Sequence, residues 1–205
     1  MNLEEFTEER VIEEANKILY LYTLKHVIRY GQTRKENDYT ESVGEHIFGM
    51  HILADYFRPL EDPDNKLDMT KVYQLITWHE LDEIETGDIP ANYKTEADRA
   101  YATKIIPEII NKIPDSLQNI AQAMSDEYES AKTPEAKYVK AIDKIEPLIH
   151  SFDIRGKIVQ QELKHTMKKS IAVKEKHIKD FPFIKHFSDT LHKVMEEKGY
   201  FYQET

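Results

Sequence analysis

An all-α fold, a helical bundle with a C-terminal helical extension, is predicted from three observations. Apolar residues recur at three- and four-residue spacing through most of the 205-residue chain. Only 6 residues are Gly and 8 are Pro, so few positions are reserved for tight turns. A hydrophobic fraction of 40% beside 32% charged residues suits a helical globular protein better than a β-sandwich or a disordered chain. The length fits one domain, or one domain with an extension, and the expected division is 1–155 and 156–205.

The elements follow in order. Val11, Ala15, Ile18, Leu21 and Leu24 mark an amphipathic helix over 11–27 that delivers Arg29 to its end. Residues 31–39 are polar and aperiodic, a loop. Ser42 with Glu45 three residues later is a capping box, opening a helix whose buried stripe is Val43, Ile47, Met50 and Phe57, with His46 beside it. A loop over 59–68 follows. Asp68 or Thr70 then caps a helix carrying Val72, Ile76 and His79 on one face, which Gly87 and Pro90 stop. Thr95 begins a stretch to about Lys112, bent near Pro107, and Asp115 or Ser116 starts a shorter helix through Leu117, Ile120 and Met124. Thr133 as cap, with Pro134 at the first helical position, opens the helix containing Asp143. A Lys-rich region gives a helix over 158–178, a turn at Phe181-Pro182-Phe183, and a last helix over 188–197. The total is seven or eight helices in one bundle.

Charge and composition exclude several functions. A net charge of −10 lacks the field that gathers a nucleic-acid polymer, although a local basic pocket can still hold one phosphate. With no Cys, there is no disulfide framework and no thiolate nucleophile, and any metal must be held by His and carboxylate. The acidic segment 1–10 lacks an apolar core, and no later run approaches the roughly 18 apolar residues of a membrane span. A cytoplasmic protein with no membrane partner is expected.

Four donors far apart in the chain, His46, the adjacent pair His79 and Glu80, and Asp143, suit one divalent metal. Imidazole and carboxylate without thiolate are compatible with Mn, Fe, Co, Ni, Zn or Mg, and four protein ligands leave two positions open on an octahedral ion. The segment His79-Glu80-Leu81-Asp82-Glu83 is not a zinc-protease helix, because Glu83 stands where that motif needs a second His.

The wording around each donor is Glu41-Ser42-Val43-Gly44-Glu45-His46, then His79-Glu80-Leu81-Asp82-Glu83 running on to Gly87-Asp88-Ile89-Pro90, then Lys140-Ala141-Ile142-Asp143-Lys144-Ile145-Glu146. From about Leu24 to about Ile149 this resembles the HD-domain metal-dependent phosphohydrolases, and within them the 5'-deoxynucleotidase branch. The family's His-Asp pair is His79-Glu80 here.

The resemblance implies a nucleoside, and by preference deoxyribonucleoside, 5'-monophosphate as substrate. It makes His46, His79, Glu80 and Asp143 the metal ligands, Glu83 the residue that orients or activates water, and Asp88 the proton donor near the leaving group. Arg29 would clamp the phosphate, and Tyr30 stands where several relatives place a Trp against the sugar. Relatives of this size pair through helices, and the aromatic end Tyr200-Phe201-Tyr202 offers apolar surface, so a homodimer is expected. Two other functions stay open: a non-catalytic nucleotide-binding or regulatory protein whose metal site the Glu80 change has altered, and hydrolysis of another phosphate ester or a triphosphate. Glu80 itself is either a strained ligand or one around which the pocket has readapted.

Overall fold

The computed structural model describes residues 7–31, 40–91 and 93–203, with ten α-helices and one isolated β-bridge among them. Most of the predicted loop 31–39, together with residues 1–6, lies outside the described residues.

Helix α1 (Glu8–Leu21) is capped by Thr7, whose hydroxyl accepts the Arg10 amide, and it tightens into a 3-10 turn, Tyr22–Lys25. Most of its apolar stripe does not face this chain's core: no residue of α1 is buried, Val11, Ala15 and Ile18 are exposed, and only Tyr20 and Leu21 at its end pack, partly buried, against the cluster around Ile109. Helix α2 (Val43–Glu61) begins with the predicted capping box and buries Val43, His46, Met50, Ala54 and Phe57. It runs through Pro59, where a loop was expected. The proline costs one amide donor, and the helix still closes with Asp62 N donating to Arg58 O at 2.8 Å.

Helix α3 (Met69–Trp78) is capped by Asp68 and ends earlier than its apolar periodicity suggests. The cause is local: His79 Nδ1 lies 2.8 Å from Ile76 O, the carbonyl that the Glu80 amide would take in a continuing helix. The chain turns through 79–82 and re-enters helix as α4 (Glu83–Thr86), which Gly87 ends with φ 65°. Glu83 therefore opens a new helix and does not share one with His79.

Helix α5 (Glu96–Ile110) starts at Thr95, which forms a capping box with Asp98, and contains Pro107. In α6 (Asp115–Ser130), Asp115 is the first helical residue and Pro114 occupies the cap position. Helix α7 (Pro134–His150) has the predicted Thr133 cap. The single helix expected over 158–178 is two, α8 (Ile154–Glu162) and α9 (Met167–Ile178), separated by a turn with Lys164 at φ 47° and a Thr166 cap. Helix α10 (Pro182–Glu197) begins at Pro182, so the predicted turn there is the start of the helix, proline suiting its first position.

Helix α7 is the axis of the bundle, packed against α2, α3, α6, α9 and α10. Its faces bury Tyr138, Val139, Ile142 and Ile145 beside Leu75, Ile76 and Phe57, and each such side chain contributes about 1.5–3 kcal/mol on removal from water. A smaller cluster of Leu81, Ile105, Ile109 and Ile113 seats α5 beside α4. Tyr200 and Phe201 are buried in the main core, Phe201 stacking on His192, so the aromatic carboxyl end does not supply the exposed surface on which the homodimer expectation leaned. No helix among the described residues is long and apolar enough to cross a membrane.

Candidate metal centre

Three elements carry the donors to one point. The capping box fixes the first turn of α2 and with it His46, the break after Trp78 turns His79 and Glu80 out of α3, and the middle of α7 presents Asp143. One ligand atom from each of His46, His79, Glu80 and Asp143 lies within 4.8 Å of every other. His46 Nε2 is 3.4 Å from Asp143 Oδ1 and 3.9 Å from Glu80 Oε1, and His79 Nε2 is 3.3 Å from Glu80 Oε1.

The imidazoles fit a cation. Each uses Nδ1 elsewhere, His46 toward Glu146 Oε2 at 2.7 Å and His79 toward Ile76 O at 2.8 Å. Each leaves Nε2 buried and, among the described residues, without a hydrogen-bond partner. A buried, unsatisfied nitrogen costs free energy, and two of them facing two carboxylates form a donor set in search of a metal. Holding the far nitrogen by a carboxylate or carbonyl is how ligand imidazoles are oriented.

The electrostatics point the same way. Burial and Arg29 press the His46 pKa down, but Glu146 and Asp143 outweigh them and raise it to about 9. Burial opposes ionisation of Glu80, yet His79 beside it brings the carboxyl to about 2, while Lys144 and His46 hold Asp143 well below the usual range against its own burial. Burial, then the nearby Glu80, lifts Asp82 to about 6 and Glu83 well above its ordinary value. Acids forced to keep protons in a site this rich in carboxylates are relieved by a bound divalent cation.

Arg29 is buried rather than solvated, at 7% exposure. A short antiparallel pairing, Arg29 N to Glu41 O and Val43 N to Val27 O, sets it against the start of α2. Its Nη1 donates to Glu41 Oε2 at 2.8 Å and to Glu146 Oε2 at 3.4 Å, and its Nε lies 3.7 Å from Asp88 Oδ1. Asp88 also accepts the amide of Tyr30, which sits at φ 66°. The Tyr30 ring lies by Arg29, and its hydroxyl is buried without a partner among the described residues. Glu83 is 4% exposed, and its Oε2 likewise has no partner. Lys94 lies 3.7 Å from Asp82, and Arg99 is exposed.

Sequence reasoning missed part of this site. Tyr128 on α6 donates to Asp143 Oδ2 at 2.7 Å and Lys144 Nζ donates to the same oxygen at 2.6 Å, while Glu41 pairs with Arg29. Tyr128 carries no local signal, since its contact is made across the bundle. Gly49 has a role visible only in space: a Cβ there would meet Glu146 Oε1 at 2.8 Å, so its bareness lets Glu146 reach His46 one turn away.

The chain is 29% identical over 132 residues to a 5'-deoxynucleotidase of Xenopus laevis, a match covering 63% of each chain. It is 30% identical over 123 residues to a 5'-deoxynucleotidase of Schizosaccharomyces pombe, covering 57% of this chain and 60% of that one. The matches thus span less than two thirds of these relatives. In fold it is similar to a predicted metal-dependent phosphohydrolase from Magnetospirillum magnetotacticum, with a TM-score of 0.78 at 18% identity, covering 96% of this chain and all of that one. Residues 21–185, well over half of the sequence, match the HD domain family, and the chain belongs to that family.

Proposed function

We propose that this protein is a cytoplasmic metal-dependent phosphomonoesterase that hydrolyses nucleoside 5'-monophosphates, deoxyribonucleotides by preference, to nucleoside and phosphate. The observation that carries the reading is the pair of unsatisfied imidazole nitrogens, His46 Nε2 and His79 Nε2, converging with Glu80 and Asp143. The names of the sequence relatives support the substrate class.

His46, His79, Glu80 and Asp143 would hold one divalent ion, with Tyr128 and Lys144 fixing the Asp143 carboxylate and Glu146 fixing His46. When bound, such an ion neutralises charge on the phosphoryl group and makes water a stronger nucleophile at neutral pH. Glu83, buried with one free carboxylate oxygen, takes the proton of the attacking water. Asp88, whose pKa is raised chiefly by burial against the pull of Arg29, gives a proton to the departing nucleoside oxygen. The Arg29 guanidinium spends Nη1 on Glu41 and Glu146 and leaves its Nε without a partner, facing the Asp88 side where a phosphate oxygen would approach. Tyr30, with a buried hydroxyl free of partners among the described residues, would meet the sugar.

The test is phosphate release from a panel of deoxyribo- and ribonucleoside 5'-monophosphates and triphosphates with each of Mn, Co, Fe, Ni, Zn and Mg. Faster metal-dependent turnover of the deoxyribonucleoside monophosphates is expected. Retention of metal with turnover of triphosphates alone would replace the substrate class, and absence of both metal and turnover would favour a non-catalytic nucleotide-binding protein.

A further inference from the structure

A cavity of about 100 Å³ opens beside the metal centre. Arg29, Asp88 and Asp143 line it from the site described above, while Gln160, His165 and Lys174 line it from α8, the following turn and α9. The second group belongs to the Lys-rich region from which no chemistry could be read. Each of its members has hydrogen-bonding capacity that the protein does not use.

The orientation of Gln160 is fixed by its neighbour. Ser151 Oγ donates its only proton to Pro147 O at 2.7 Å, so it can only accept from Gln160, whose Nε2 lies 3.1 Å away. Gln160 Oε1 is therefore the atom left over, and it is buried with no partner.

Lys174 is fixed by a chain of donors. His192 Nδ1–H donates to Ser188 O at 2.7 Å, which leaves His192 Nε2 to accept from Ser170 Oγ at 2.9 Å. Ser170 Oγ then accepts from Lys174 Nζ at 2.9 Å, and a second ammonium proton goes to Ser170 O at 3.3 Å. Burial, then Lys144, lowers the Lys174 pKa to about 7; in the charged form the third proton has no acceptor among the described residues, where no carboxylate pairs with this 5% exposed lysine. His165 Nε2 is also buried and unpartnered, and burial, with Lys174 next to it, holds that imidazole neutral with a pKa of about 4.

The wall thus offers one fixed acceptor, an amine at a fixed place that donates in its charged form, and a neutral imidazole nitrogen that can be either. A second phosphate or a carboxylate would suit Lys174 but would set lone pairs against Gln160 Oε1. A group with a donor and an acceptor on neighbouring atoms satisfies both, and the edge of a nucleobase is such a group. At about 100 Å³ the cavity is smaller than the roughly 150 Å³ that admits a benzene ring, so it takes the edge of a base and leaves the rest of the nucleotide outside it.

We propose that Gln160, His165 and Lys174 form a base-reading wall, which hydrogen-bonds the edge of the nucleobase while the phosphate lies at the metal centre. This rests on the nucleotidase reading of that centre. It gives the C-terminal helices a direct part in choosing the substrate.

The experiment compares wild type with Lys174→Met and Gln160→Met, near-isosteric changes that leave the metal ligands untouched. The substrates are the four deoxynucleoside 5'-monophosphates and 2-deoxyribose 5-phosphate, which keeps sugar and phosphate but has no base. In each variant KM for at least one nucleotide should rise about tenfold, the worth of one hydrogen bond, with kcat nearly unchanged. Deoxyribose 5-phosphate should be processed as by wild type. Equal losses on both substrates, or on neither, would overturn the proposal. If wild type hydrolyses nothing, the phosphohydrolase reading fails separately, and calorimetric binding of the same nucleotides decides: tenfold weaker binding by the variants supports the wall, while unchanged binding, or none by wild type, overturns it.

Discussion

Shortening Glu80 by one methylene, Glu80→Asp, restores the pair usual in this family and is expected to harm this protein. Ligand bonds of about 2.1 Å place neighbouring ligands about 3.0 Å apart on an octahedral ion and about 3.4 Å apart on a tetrahedral one. The present spacings of 3.3 Å from Glu80 to His79 and 3.4 Å from Asp143 to His46 lie within about 0.4 Å of both values, and the 3.9 Å from Glu80 to His46 lies about 0.5 Å beyond the tetrahedral one and about 0.9 Å beyond the octahedral one. The longer side chain therefore already reaches, which favours a pocket readapted around Glu over a strained one. Aspartate would withdraw the carboxylate by about 1.5 Å, while a ligand tolerates about 0.2 Å. A loss of about 10- to 100-fold in metal affinity follows, or about 1.4–2.7 kcal/mol, with a parallel loss of turnover at limiting metal. Calorimetric titration of metal-free wild type and variant, with elemental analysis of both as purified, measures it. Tighter metal binding by Glu80→Asp would refute the reasoning and show that Glu80 is strained.

Four further outcomes are expected. Glu83→Ala should lower turnover by about 100-fold with metal content near normal, and a parallel fall in metal would make Glu83 a ligand instead. Gly49→Ala adds a methyl group 2.8 Å from Glu146 Oε1; the carboxylate must shift, which disturbs its Oε2 bond to His46, and metal affinity should fall measurably in calorimetry although alanine favours the helix by about 1 kcal/mol. Metal uptake at pH 7.5 should release protons, because His46 holds one below a pKa of about 9 in the metal-free protein; affinity should rise with pH up to that point, and titrations in two buffers of different ionisation heat that show no release would contradict the assignment. Phe48, Ile52 and Tyr56 form an exposed stripe at four-residue spacing on α2, 67%, 54% and 55% exposed, so light scattering should give a dimer mass for wild type and a monomer for Ile52→Lys, while a monomeric wild type at micromolar concentration rules the dimer out.

Local rules explain what could be read from the sequence. The caps at Ser42, Asp68, Thr95 and Thr133 are side-chain bonds made within three residues, and those helices begin where the pattern puts them. The four donors were legible because their surrounding wording is itself local. Where the pattern misled, a contact decided: the His79 imidazole takes the carboxyl-end carbonyl of α3, and periodicity sees an apolar face there without seeing the competing acceptor. The exposed stripe of α1 shows the opposite failure, since amphipathic spacing states that a face is apolar and not what covers it. Tyr128 and Gly49 matter through distances across the bundle, which no window along the chain contains.

The same distinction explains how one centre can be tuned from both ends of the molecule. Asp143 sits on the central helix with its second oxygen held by Tyr128 and Lys144, while His46, on the adjacent α2, is held by Glu146 one turn further along that same central helix. Arg29 ties Glu146 to Glu41, so the opening turn of α2, the segment before it and the middle of α7 move as one unit. A buried carboxylate so held keeps its geometry when the metal leaves, because breaking one partner strands another charge, at a cost of about 3–5 kcal/mol. The ligand positions are then set by the fold before any ion arrives, and binding need not order them. The wall proposed on α8 and α9 follows the same logic, with the His192–Ser170–Lys174 chain fixing the place of the Lys174 amine in advance, so that selectivity for the substrate can change in the C-terminal helices without disturbing the ligands that α2 and α7 hold.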